Sequence, residues 1–142
     1  LPVTPIFMDL PLLSGTEQPH APHIAVAAEP WPGSVAVYGA TSDSGYTLNR
    51  LVDTVSAVGV LDTALLRATP GAWDRGPAFR VRMSTGALSS VSTEDVLNGA
   101  NAAAIGLGSD GPWEVIQFRM RFLSPSTRLV GRSFSSSCLS VF

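Results

Sequence analysis

Proline and glycine cut this chain into pieces too short for long helices. Prolines stand at positions 2, 5, 11, 19 and 22, and further corners follow at Glu29-Pro-Trp-Pro-Gly33, Thr41-Ser-Asp-Ser-Gly45 and Thr69-Pro-Gly-Ala-Trp-Asp-Arg-Gly76. Proline removes a backbone donor and turns the residue before it away from helix, while glycine opens the turn conformations. Between the corners lie runs of five to seven residues, 6–10, 23–28, 34–38, 46–52, 56–62 and 79–83, each carrying enough Val, Ile, Leu, Phe or Tyr to read as a strand. In 23–28, Ile24 and Val26 share one face. In 79–83, Phe-Arg-Val-Arg-Met alternates strictly, and Phe-Arg-Met-Arg-Phe repeats the pattern over 118–122. Arg80 and Arg82 therefore share a wet face and are expected to pair with acids across the sheet.

Two more apolar runs, 102–105 and 113–118, flank Gly106-Leu-Gly108-Ser-Asp-Gly111 and predict a hairpin turning at Asp110-Gly111. The same glycines match the G-x-G-x-x-G pattern of dinucleotide-binding folds. That fingerprint requires a helix opening inside the glycines, whereas Pro112 follows at once and then the strand-like Trp-Glu-Val-Ile-Gln-Phe. No Asp or Glu follows Glu114 to hold a ribose. One helix start stands out: Ser92-Thr-Glu-Asp supplies a hydroxyl cap and acids in the first turn, and Gly99 stops it. The expected fold class is therefore all-β, a barrel- or sandwich-like module with one short helix near 92–98.

At 142 residues and 45% hydrophobic content the chain can bury a core. No apolar run approaches the ~20 residues of a membrane helix, so no membrane span is expected. Leu-Pro-Val-Thr-Pro at the start reads as an internal piece of a longer polypeptide. The single cysteine, Cys138, permits neither an internal disulfide nor an all-cysteine metal site. All nine basic residues are Arg, which reflects coding bias more than a binding surface. They are unevenly spread: residues 1–114 hold five Arg against eleven carboxylates, and residues 115–142 hold four Arg and no carboxylate. Four spaced arginines without interleaved Tyr or Trp do not make a nucleic-acid stripe, and no nucleic-acid binding is expected.

Catalytic groups do not assemble from the pattern. His20 and His23, with Asp9, Glu17 or Glu29, make a nominal metal set, but Pro22 between the histidines removes the register that would converge them. Asp53 and Asp62 sit near strand ends, too isolated for an acid–base pair and expected to face water. A Ser-His-Asp arrangement has neither a nucleophile turn nor a placed histidine. No catalytic, cofactor-binding or metal residue is assigned, no cofactor is expected, and the chain reads as a non-enzyme. The individual residues are Trp31 and Trp73, each in a Pro/Gly corner. They are either aromatic lids on sheet ends or stacking platforms for a sugar or partner.

Four phrases go further in combination. Phe7-Met-Asp-Leu-Pro-Leu-Leu-Ser-Gly-Thr-Glu, Trp31-Pro-Gly-Ser-Val-Ala-Val-Tyr38, Gly71-Ala-Trp-Asp-Arg-Gly76, and Val96-Leu-Asn-Gly-Ala-Asn-Ala-Ala-Ala-Ile-Gly with Trp113-Glu-Val-Ile-Gln-Phe118 resemble the large baseplate hub, or host-specificity, protein of gene transfer agents and related siphophage-like tails of alphaproteobacteria. The resemblance runs over residues 6–118. It implies a structural, virion-type phage tail protein that closes the tail tube as a ring of copies. In that family a glycoside-hydrolase-like barrel lies upstream of the matched region, so no catalytic residue is carried over. The implied partners are other copies of the hub and neighbouring tail or baseplate proteins. The implied location is the tail tip of a particle assembled in the bacterial cytoplasm and acting outside the cell, with host attachment or delivery as its task. A carbohydrate- or receptor-binding β module, contacting a cell-surface glycan through Trp31 and Trp73, is the alternative.

After Arg119 the resemblance stops. The last twenty residues hold seven Ser and no acid, which reads as a shift of reading frame near residue 119 and predicts poor packing beyond about 122. The expected organisation is an extended segment over 1–22, a β-rich tail-hub module over 23–122, and an atypical Ser/Arg-rich tail over 123–142.

Overall fold

The computed structural model describes residues 2–67, 69–75, 78–107, 112–119 and 138–141, the last by backbone alone. The chain is mainly β, with nine strands and one short helix among the described residues. Strands β1 (Thr4–Met8) and β2 (His23–Ala27) pair antiparallel as a two-stranded ribbon. Strands β3 (Val35–Gly39) and β4 (Thr47–Val52) form a second two-stranded sheet, with a bulge between Val37 and Tyr38. A five-stranded antiparallel sheet completes the fold: β5 (Ala57–Leu61), β6 (Val81–Thr85), β7 (Ala102–Gly106), β8 (Trp113–Gln117) and β9 (Cys138–Val141), in the order β6-β5-β9-β7-β8. No sheet closes into a barrel among the described residues, and the sandwich description fits loosely.

The two-layer part arises from small residues. Alanines 25, 27 and 104 are buried beside Met8, Leu10 and Val58, with Ile6, Trp113 and Val115 packed against them, so the β1–β2 ribbon covers one face of the five-stranded sheet. Met8 is fully buried and fills the space the alanines leave, which stabilises the fold by roughly 1.5–3 kcal/mol. On the other face Ala103 and Ile105 pack with Leu61, Val81, Ile116 and Phe118. Strand β7 is thus apolar on both sides, which explains why its Ala-Ala-Ala-Ile run lacks polar alternation.

Ser56 ties the layers together. Its amide donates to Val26 O at 2.9 Å, its hydroxyl accepts from Val26 N at 2.9 Å, and its carbonyl accepts from Thr85 Oγ1 at 2.8 Å. The helix α1 (Thr93–Leu97) begins at the expected Ser92, which forms a capping box with Asp95. Gln117 Nε2 donates to Val96 O and Ala100 O at the helix's far end, and Arg119 Nη1 donates to Thr93 Oγ1. No helix among the described residues is long and apolar enough to cross a membrane.

The differences from expectation have local causes. The strand expected over 79–83 runs from Val81 to Thr85: Arg80 O still accepts from Asp62 N at 2.9 Å, but Arg80 N turns to Thr63 Oγ1. The first strand is Thr4–Met8, two residues earlier than the 6–10 run, and Met8 enters the main core, so packing runs continuously across residue 22. In β2 Ala25 and Ala27 join this core, while Ile24 and Val26 share the opposite face, as expected, and line a cleft in which Val26 is fully buried. Asp62 does not stand alone at its strand end: it pairs with Arg82 at 2.8 Å. That contact also bears out the pairing expected for Arg82. The 120–122 part of the repeat lies outside the described residues, as do 108–111 with the Asp110-Gly111 turn and 120–137 of the tail. Of the tail, the backbone of Cys138–Val141 pairs with β5 on one side and β7 on the other.

Candidate interaction surfaces

The β3–β4 hairpin offers its apolar side chains on both faces. Across its ladder Ala36 faces Leu51 and Tyr38 faces Leu48. Tyr38, Leu48 and Leu51 are each at least half exposed. The sequence signal was present in 34–38, where Val35 and Val37 alternate with Ala36 and Tyr38 instead of with polar residues. Both runs read as strands from the sequence, and the surface that they form together is seen only in the structure. Tyr46, also exposed, is anchored by its hydroxyl to Asp43 Oδ1 at 2.7 Å, which raises the phenol's pKa.

The other side of the hairpin borders an apolar cleft of about 260 Å³, where Val35 and Val37 meet Val3, Phe7, Ile24 and Val26 of the ribbon. Its lining has no charged side chain. Such a concavity suits apolar side chains.

The two tryptophans take different environments. Trp31, beside the cis Glu29–Pro30 bond, is half-buried, and its indole N–H is buried without a hydrogen-bond partner among the described residues. Trp73 is 50% exposed and lines a cleft of about 270 Å³ with Arg67, Thr69, Ala72 and Asp74. Trp31 is not part of that lining. The structure therefore does not join the two indoles in one cleft. A lid role suits Trp31, and an accessible ring suits Trp73.

Titratable groups are tuned by local hydrogen bonds. Glu17 is held down to about 2 chiefly by backbone amides, its own and that of Ser14. The Ser92 hydroxyl, then the Ser92 amide, lower the Asp95 carboxyl. Both belong to turns or caps and neither lies in a cleft. Among the described residues no three of His, Cys, Asp and Glu converge in a way that could hold a metal ion, and His20 and His23 form no such group.

These surfaces define a mainly-β module with exposed apolar and aromatic side chains. Residues 56–125, from Ser56 at the layer junction to just past β8, match the family model described as Rcc01698-like, C-terminal. No curated protein and no solved structure matches the chain.

Proposed function

We propose that this chain is a structural module of a phage-like tail tip, a baseplate hub segment that binds other copies of itself and neighbouring tail proteins and so serves particle assembly and host attachment. The observation that carries the reading is the β3–β4 hairpin. A two-stranded hairpin is marginal in water by itself, and this one leaves Tyr38, Leu48 and Leu51 uncovered. An assembly partner supplies the burial that the other described residues do not. Rigid β layers with apolar contact faces suit such a role, which requires no set of reactive groups. The four sequence phrases that resemble tail hubs support the same reading.

The test is retention of separated tail and baseplate components by the full chain, compared with a Leu48→Ser/Leu51→Ser variant. Retention by the wild type and loss in the variant, with unchanged circular dichroism, is the expected result. No retention of any component by the wild type would remove the proposal.

A second reading rests on Trp73. Its half-exposed ring beside Arg67, Thr69 and Asp74 suits a cell-surface sugar that stacks on the indole and bonds the polar rim. Glycan-array binding abolished by Trp73→Ala, with no tail component retained, would favour it over assembly.

A further inference from the structure

We propose that the slot between β5 and β7 is a strand-acceptor site, and that in the assembled form it holds β9 of a second copy of this chain. The inference rests on the assembly reading, since a ring of copies is what supplies the second chain. Strand β9 pairs antiparallel with both neighbours: Ala57, Val58, Gly59 and Val60 oppose Val141, Ser140, Leu139 and Cys138, and Ala103 to Gly106 oppose the same four from the other side. Take β9 away and the sheet divides into two hairpins, β5–β6 and β7–β8, each with an open inner edge. Open edges of that kind recruit a strand through backbone hydrogen bonds, with little demand on its side chains. A Cys-Leu-Ser-Val strand can satisfy such a site.

Two observations make the strand separable from its slot. The residues matching the family model end at 125, so both walls of the slot lie within the match and β9 lies beyond it. Twenty residues of sequence, 118–137, separate β8 from β9. Twenty residues span at most about 70 Å when fully extended, enough to reach a neighbouring copy. Exchange repeats the same ladder and needs no new contact, which is why swapping an identical element is a low-cost route to association.

Cys138 supplies the test. Its antiparallel partner on β5 is Val60, and such partners stand roughly 4.5–5.5 Å apart at Cα, within reach of a disulfide. Full-length V60C is prepared with natural and with heavy nitrogen, the two are mixed, denatured and refolded together, and then oxidised over a range of concentrations. Cross-linked peptides are read by mass spectrometry. Exchange predicts that peptides joining position 60 to Cys138 carry mixed isotopes, approaching about half of the total as concentration rises. Peptides of a single isotope at every concentration would overturn the proposal, because β9 then closes only its own sheet. Absence of the cross-link would overturn it as well, because β9 then does not occupy the slot. Should V60C not fold, Ala57→Cys with Val141→Cys in a Cys138→Ser background reads the other end of the ladder. A single-isotope result would leave retention of tail components unaffected, so this failure is distinguishable from failure of the assembly reading.

Discussion

The indole of Trp113 lies over the α-carbon of Gly106, its partner across the β7–β8 ladder. A methyl group built on Gly106 would meet the Trp113 ring at 2.6 Å. The glycine is there for close approach, and its lost side-chain burial is replaced by the aromatic ring. Gly106→Ala should therefore destabilise the chain by about 1–3 kcal/mol in urea unfolding. In a Trp113→Ala background the same substitution should cost much less, and equal costs in both backgrounds would remove the explanation.

Ser56 is the second point of sensitivity. Ser56→Ala keeps the backbone contact to Val26 O but strips the acceptor from the Val26 amide. A loss of about 1–3 kcal/mol is expected for an unsatisfied buried amide. Hydrogen exchange should accelerate at Val26 more than in β7, since the ribbon loosens before the five-stranded sheet opens.

Acid should act at two turns first. Glu17 and Asp95 have carboxyls depressed below their ordinary values of 4.5 and 3.8 by hydrogen bonds to the ionised form. A depressed carboxyl stabilises the fold fully above its unfolded value and loses that contribution as pH falls through the folded one. For Glu17 the window runs from about 4.5 down to about 2. Protection of the amides at Ser14 and in the first turn of α1, taken relative to the intrinsic exchange rate at each pH, should fall in acid before that of the core. Asp95→Asn should remove the pH dependence at α1 and leave that at Ser14 unchanged, as read by nuclear magnetic resonance titration.

The tryptophans give an optical prediction. Trp73→Phe should remove the most quencher-accessible part of the emission, whereas Trp31→Phe should leave acrylamide quenching nearly unchanged. The opposite order would contradict the half-exposed ring of Trp73 and the half-buried one of Trp31.

Short-range chemistry was the legible part of this sequence. Ser92 with Asp95 marked the helix, and Gly106 with Trp113 bounded a hairpin whose two strands pair as the apolar runs required. Proline and glycine corners delivered the all-β class. Burial was less legible, because it depends on which layers meet. Nothing local distinguishes Ala25 and Ala27, which reach the core, from Ile24 beside them, which lines the cleft on the opposite face. The one-residue alternation of a strand reveals two faces and does not say which is covered. The strand shift to Val81 has the same character, since the contact of Arg80 with Thr63 crosses seventeen residues. The exposure of the two candidate site residues was not legible either, because Trp31 and Trp73 sit in similar Pro/Gly corners and only their surroundings differ.

The junction at Ser56 bears on where this protein can be divided. The stretch similar to a known family begins at that serine, yet the face that Val58 and Ala104 present is completed by Met8, Leu10, Ala25 and Ala27 from upstream. A recombinant fragment started at residue 56 would carry an uncovered apolar sheet into solution and should precipitate or coat other surfaces. A boundary drawn by likeness and a boundary drawn by solubility therefore fall at different places, and expression work on related chains does better to keep the ribbon attached.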